Sequence, residues 1–120
     1  MMLDWNGYRK QIGETIGGMA KLSLDTVRGY RMLGEAGLKT THLGAKTREL
    51  IALAVAVSLR CDGCITVHTD AAVKLGATKE EIMEALAVAI SINAGAAMIY
   101  SARTLDAYAQ RVEEGLPQGV

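Results

Sequence analysis

Proline occurs once in this chain of 120 residues, at position 117. The 116 residues before it therefore contain no side chain that deletes a backbone donor and clashes with the preceding helical turn. No segment alternates apolar and polar residues with period two, so strands find no support either. The resulting expectation is an all-α chain. Half the residues are apolar and 18 are alanine, which suits a packed core and argues against disorder. The length is that of one domain, taken here as 1–120.

Apolar spacing places the helices. Trp5, Tyr8, Ile12, Ile16 and Met19 recur at intervals of three and four, a helical stripe weakened by Gly13, Gly17 and Gly18. Ser23 is positioned to cap a second helix carrying Leu24, Val27, Tyr30 and Leu33, closing near Gly34 to Gly37. After a connection over 38–44, a third helix runs from Ala45 to Leu59, apolar on nearly every face beyond Glu49 and hence central. The segment 60–64 reads as a break, followed by a helix to about Leu75 that Gly76 closes. Thr78 and Glu81 form a capping box for a helix over 82–92. Asn93-Ala94-Gly95 then suggests a kink or break before a last helix to about Glu113 and a frayed tail. The sum is a compact bundle of about six helices.

Thirteen basic residues balance thirteen acidic ones, so charge supplies no case for nucleic acid or an anionic membrane as partner. The N-terminus has no apolar core of a signal peptide. The longest apolar stretch, Ala85 to Tyr100, is interrupted by Ser91 and Asn93 and closely bounded by Glu84 and Arg103. It reads as a buried helix in a cytoplasmic protein, with no membrane partner expected. Alanine lets facing helices approach closely, and a helix apolar all round must be covered by something. In so short a chain, further copies of itself are the natural cover, so a homo-oligomer is expected.

The chemistry concentrates in Cys61-Asp62-Gly63-Cys64-Ile65-Thr66-Val67-His68. At about 100° per residue, Cys61, Cys64 and His68 fall within about 60° of one another on a helix. A thiol at a helix start is acidified by the helix dipole, and an adjacent imidazole can take its proton. Such a pair is a redox dithiol with a built-in base. Glu49, the acid at the entry to the preceding apolar helix, could orient that imidazole if the two helices pack antiparallel. Two readings stand beside this one: a pair of ordinary buried thiols, and a zinc site, although structural zinc takes four ligands and three cluster here. His42 reads as a solvated loop residue, the six methionines as core filler, and Arg60 as a local positive charge or a surface arginine.

Glu49, eleven intervening residues, then Cys61-x-x-Cys64-x-x-x-His68 resembles the signature of AhpD-like alkylhydroperoxidases of the carboxymuconolactone decarboxylase family. The flanking text, Leu43-Gly44-Ala45-Lys46-Thr47-Arg48-Glu49 ahead and Leu75-Gly76-Ala77-Thr78-Lys79-Glu80-Glu81 behind, is similar too, and the likeness spans about 22–110. The resemblance implies an all-α fold assembling as a homotrimer or homohexamer and a thiol-dependent peroxidase without cofactor or metal. It implies Cys64 as the peroxide-attacking thiolate, Cys61 as the resolving thiol, and Glu49 with His68 as a proton relay. A hydroperoxide would be the substrate, and an external dithiol, thioredoxin-like or lipoyl, the reductant. Family members often carry a bulky residue or histidine before the second cysteine; this chain has Gly63. Lactone decarboxylation and a non-enzymatic redox-sensing module are the alternatives.

Overall fold

The computed structural model describes residues 1–115, and the last part of the expected frayed tail, 116–120, lies outside them. Among the described residues five helices follow one another: α1 Trp5–Leu22, α2 Leu24–Ala36, α3 Ala45–Leu59, α4 Asp62–Lys74 and α5 Lys79–Glu113. There is no strand among the described residues. The count is five where the sequence pattern suggested about six, because Asn93-Ala94-Gly95 does not interrupt α5. The Asn93 amide donates to the Ala89 carbonyl at 2.7 Å, one turn back, and to Ser58 Oγ of α3 at 2.8 Å. Its side chain thus finds partners without taking a backbone bond from the helix.

The helix ends follow local chemistry. The capping box at α5 is formed as expected: Thr78 Oγ1 accepts from the Glu81 amide, and the Glu81 carboxylate accepts from the Thr78 amide, both at 3.0 Å. Gly76, at φ +82°, closes α4 in the left-handed conformation. Ser23 does occupy the N-cap of α2, but its hydroxyl bonds Thr26 Oγ1 at 2.7 Å and caps no amide. On α1, Trp5, Ile12 and Ile16 are half-buried, whereas Tyr8 and Met19 of the expected stripe are exposed.

α4 is sandwiched between α1 and α3, α5 packs on the other side of α3, and α2 packs on α1. α3 is therefore central, as its apolar faces required, and Leu53 and Ala56 on it are buried. The remaining buried apolar residues are Val27, Ala72 and Ala89, mostly small side chains at close helix crossings. A compact chain of this length would have a radius of gyration of about 14 Å; this one measures 20.8 Å, with extents of 61 × 39 × 36 Å. The single chain is elongated, and Val88, Ile90, Ile92, Met98 and Ile99 of α5 are more than half exposed. By length and composition α5 is also apolar enough to cross a membrane.

Candidate functional site

The site is built on the α3–α4 hairpin. Arg60, at φ 54°, sits in the left-handed region that α-carbon substituents disfavour. There its amide bonds the Val57 carbonyl and the next amide, of Cys61, bonds that of Ala56 at 3.0 Å. This pair of bonds is the Schellman termination usually made with glycine. It reverses the chain in two residues, so α4 starts at once and runs back along α3. Arg60 thus has a backbone role that its charge did not suggest.

Cys61 is the N-cap of α4, and its Sγ accepts from the Cys64 amide at 3.2 Å. Cys64 lies in the first turn, where unpaired amides and the helix dipole favour a negative sulfur. The two cysteines are joined as a disulfide, their Cα atoms 5.2 Å apart, within the usual range for such a bridge. The closed pair is the oxidised form that a redox dithiol at this spacing can adopt.

The antiparallel hairpin brings Glu49 of α3 to His68 of α4, with Oε2 2.6 Å from Nδ1. The two side chains are 23% and 35% exposed respectively, so the pair is shielded without being sealed off. A carboxylate on Nδ1 fixes the ring and leaves Nε2 as the exchanging nitrogen. Around the sulfurs is a cavity of about 220 Å³. Cys61, Gly63, Cys64, Val67 and His68 form one side of it, and Ile12 and Ile16 of α1 with Tyr30 of α2 the other. Cys64 and His68 therefore face a common space, and all four candidate residues stand within one hairpin. His42 lies on the exposed connection before α3.

Three contributors escaped the sequence reading. Thr66 is buried, and its hydroxyl donates to the Trp5 carbonyl at 2.8 Å, tying the start of α1 to α4. Ile12 meets Gly63 so closely that a Cβ added to the glycine would fall 2.8 Å from Ile12 Cδ1. Arg48 donates to the carbonyls of Leu43, at 2.8 Å, and Thr40, at 3.3 Å, pinning the connection before α3. A buried threonine in an amphipathic helix is a weak signal, and the other two depend on contacts across the fold. Farther along the ends of α3 and α5, Lys46 bonds Glu81 at 2.7 Å. This ion pair, with the capping contacts at Thr78, holds the Glu81 carboxyl below its ordinary range.

A profile of the carboxymuconolactone decarboxylase family matches residues 25–107, and the chain belongs to that family. Membership supports an AhpD-like or a decarboxylase-type activity. The chain is 46% identical to an uncharacterized protein of Haemophilus influenzae, over 90% of this chain and 96% of that one. Among solved structures it is similar to a carboxymuconolactone decarboxylase family protein from Legionella pneumophila. The identity there is 35% and the TM-score 0.70, covering 88% of this chain and 95% of that chain. A protein from Methanobacterium thermoautotrophicum is 30% identical with a TM-score of 0.66, covering 72% of this chain and 97% of that one.

Proposed function

We propose that the protein is a thiol-dependent peroxidase that reduces hydroperoxides through the Cys61–Cys64 dithiol. The observation that carries this reading is the conjunction of a closable cysteine pair at the N-terminus of α4 with the Glu49–His68 pair in the same hairpin. In the reduced form, His68 takes the Cys64 proton, and Glu49 steadies the imidazolium. The Cys64 thiolate attacks the outer peroxide oxygen; an S–O bond forms, the O–O bond breaks, and the alkoxide leaves with the proton held by His68. The peroxide is reduced to alcohol, and Cys64 is oxidised to a sulfenic acid. The Cys61 thiol then displaces hydroxide, which departs as water, and the disulfide closes. An external dithiol, thioredoxin-like or lipoyl, restores both thiols by exchange and is itself oxidised to a disulfide.

The exposed apolar length of α5 belongs to the same proposal. Copies of the chain cover it in a homotrimer or homohexamer working in the cytoplasm, with no nucleic-acid or membrane partner. The elongated form of the single chain supports this reading. Lactone decarboxylation, the other activity that membership brings into view, has no use for a dithiol. The test is steady-state hydroperoxide consumption with several dithiol donors, run on the wild type and on Cys64→Ser. Turnover lost in Cys64→Ser supports the proposal. Decarboxylation that survives alkylation of both cysteines would replace it with the lactone reading, and disulfide cycling without turnover with a redox-sensing module.

A further inference from the structure

The dithiol does not lie open on α4. Ile12 and Ile16 of α1 and Tyr30 of α2 stand across the cavity from Cys61, Cys64 and His68. Ile12 reaches in because residue 63 has no side chain: its Cδ1 occupies space that any Cβ on Gly63 would contest, at 2.8 Å. Ile12 and Ile16 are half-buried, one turn apart on the same face of α1. That face is held in register by the Thr66–Trp5 bond at the start of the helix. We infer that Ile12, seated on Gly63, is a specificity-determining residue: it sets the size of molecule that can reach the Cys64 sulfur.

The volume gives the expected cut-off. An apolar cavity of about 150 Å³ accepts benzene, or about 25 Å³ per non-hydrogen atom. At about 220 Å³, the dithiol cavity takes about nine such atoms on that scale. tert-Butyl hydroperoxide, with six, is expected to seat fully, and cumene hydroperoxide, with eleven, to leave part of its bulk outside the cavity mouth (both counts follow from their formulae). Replacing Ile12 by alanine removes three carbons and adds about 75 Å³ on the same scale, enough for the larger peroxide. A misfit of this kind in an apolar pocket is worth about 10- to 200-fold in discrimination.

The assignment rests on the peroxidase reading only where peroxides are the probe, so two readouts are used. In the first, reduced protein reacts with N-methylmaleimide and with N-benzylmaleimide, which share one electrophile and differ in bulk, and labelling of Cys64 is followed by peptide mass. In the second, kcat/KM is compared for the two hydroperoxides. The wild type is expected to favour the smaller reagent by about tenfold or more beyond their ratio on free cysteine. Ile12→Ala should bring that preference close to the free-cysteine ratio, Ile12→Val should fall between, and all three proteins should keep the helical circular-dichroism signal. Gly63→Ala should change the preference in the Ile12 protein and leave it unchanged on the Ile12→Ala background, where the contested methyl is gone. A labelling preference that stays within twofold across wild type, Ile12→Val and Ile12→Ala would overturn the inference. A preference that responds to Ile12 while no peroxide is consumed would keep the size filter and reject the peroxidase.

Discussion

Glu49→Gln removes one charge from the site while keeping its shape, and its effect can be worked from the geometry. Glu49 Oε2 lies 2.6 Å from His68 Nδ1, a charge-assisted bond once the ring is protonated. Such bonds contribute about 1.5–3 kcal/mol when shielded. With the glutamate 23% and the histidine 35% exposed, water screens part of this, and the lower end applies. The imidazolium forms when Cys64 gives up its proton, so the glutamine variant loses about 1.5 kcal/mol at that step. This corresponds to about a tenfold fall in the alkylation rate of reduced Cys64 near neutral pH and in kcat/KM for peroxide. The assay is stopped-flow alkylation beside steady-state turnover, with circular dichroism to verify folding. A folded Glu49→Gln protein that reacts within twofold of the wild type in both would refute the argument that Glu49 acts through His68.

Other expectations follow from contacts elsewhere in the fold. Thr66→Val leaves the helices in place but removes the bond to the Trp5 carbonyl; it should cost about 1 kcal/mol in denaturant unfolding, and the emission of Trp5, the lone tryptophan, should shift to the red. Glu81 has its carboxyl lowered from 4.5, chiefly by the bond from Lys46, so its stabilisation is complete above that pH and is lost as pH falls through the folded value. Glu81→Gln should therefore lower Tm near neutral pH, and the gap to wild type should close in acid; a gap independent of pH would contradict the pairing. Light scattering is expected to give three or six times the 12.8 kDa chain mass, and Ile92→Lys on the exposed face of α5 to shift it towards the monomer. A wild-type monomer that partitions into vesicles would count against this assembly.

Much of the frame was legible because it depends on short-range rules. The Thr78–Glu81 capping box, the Gly76 stop and the limits of α3 are local, and they stand where the spacing put them. The approach of Glu49 to His68 followed from an antiparallel hairpin that the break after Leu59 made plausible. Arg60 is an exposed arginine at the break, as its sequence position suggested, but its backbone role was hidden: nothing in the side chain announces a left-handed φ, which glycine or asparagine would have signalled. Asn93 and Gly95 looked like a break because their propensities are poor; Ser58, on another helix, supplied the partner that kept α5 whole. The contact of Ile12 with Gly63 joins residues 51 apart in sequence, and a glycine gives no local reason for that approach. The disulfide is legible as a capability of the Cys-x-x-Cys spacing, whereas its closed state belongs to three dimensions.

If Cys64 is oxidised by peroxide and resolved by Cys61, a single turnover will show it: fully reduced protein, free of external thiol, is mixed with one equivalent of hydroperoxide. The intact mass and the remaining free thiols would then be measured for wild type, Cys61→Ser and Cys64→Ser. One Cys61–Cys64 disulfide per peroxide consumed is expected in the wild type. A trappable sulfenic acid on residue 64 is expected in Cys61→Ser, and no peroxide consumption above background in Cys64→Ser. Peroxide consumption by Cys64→Ser at the wild-type rate would remove Cys64 from the role of attacking thiolate.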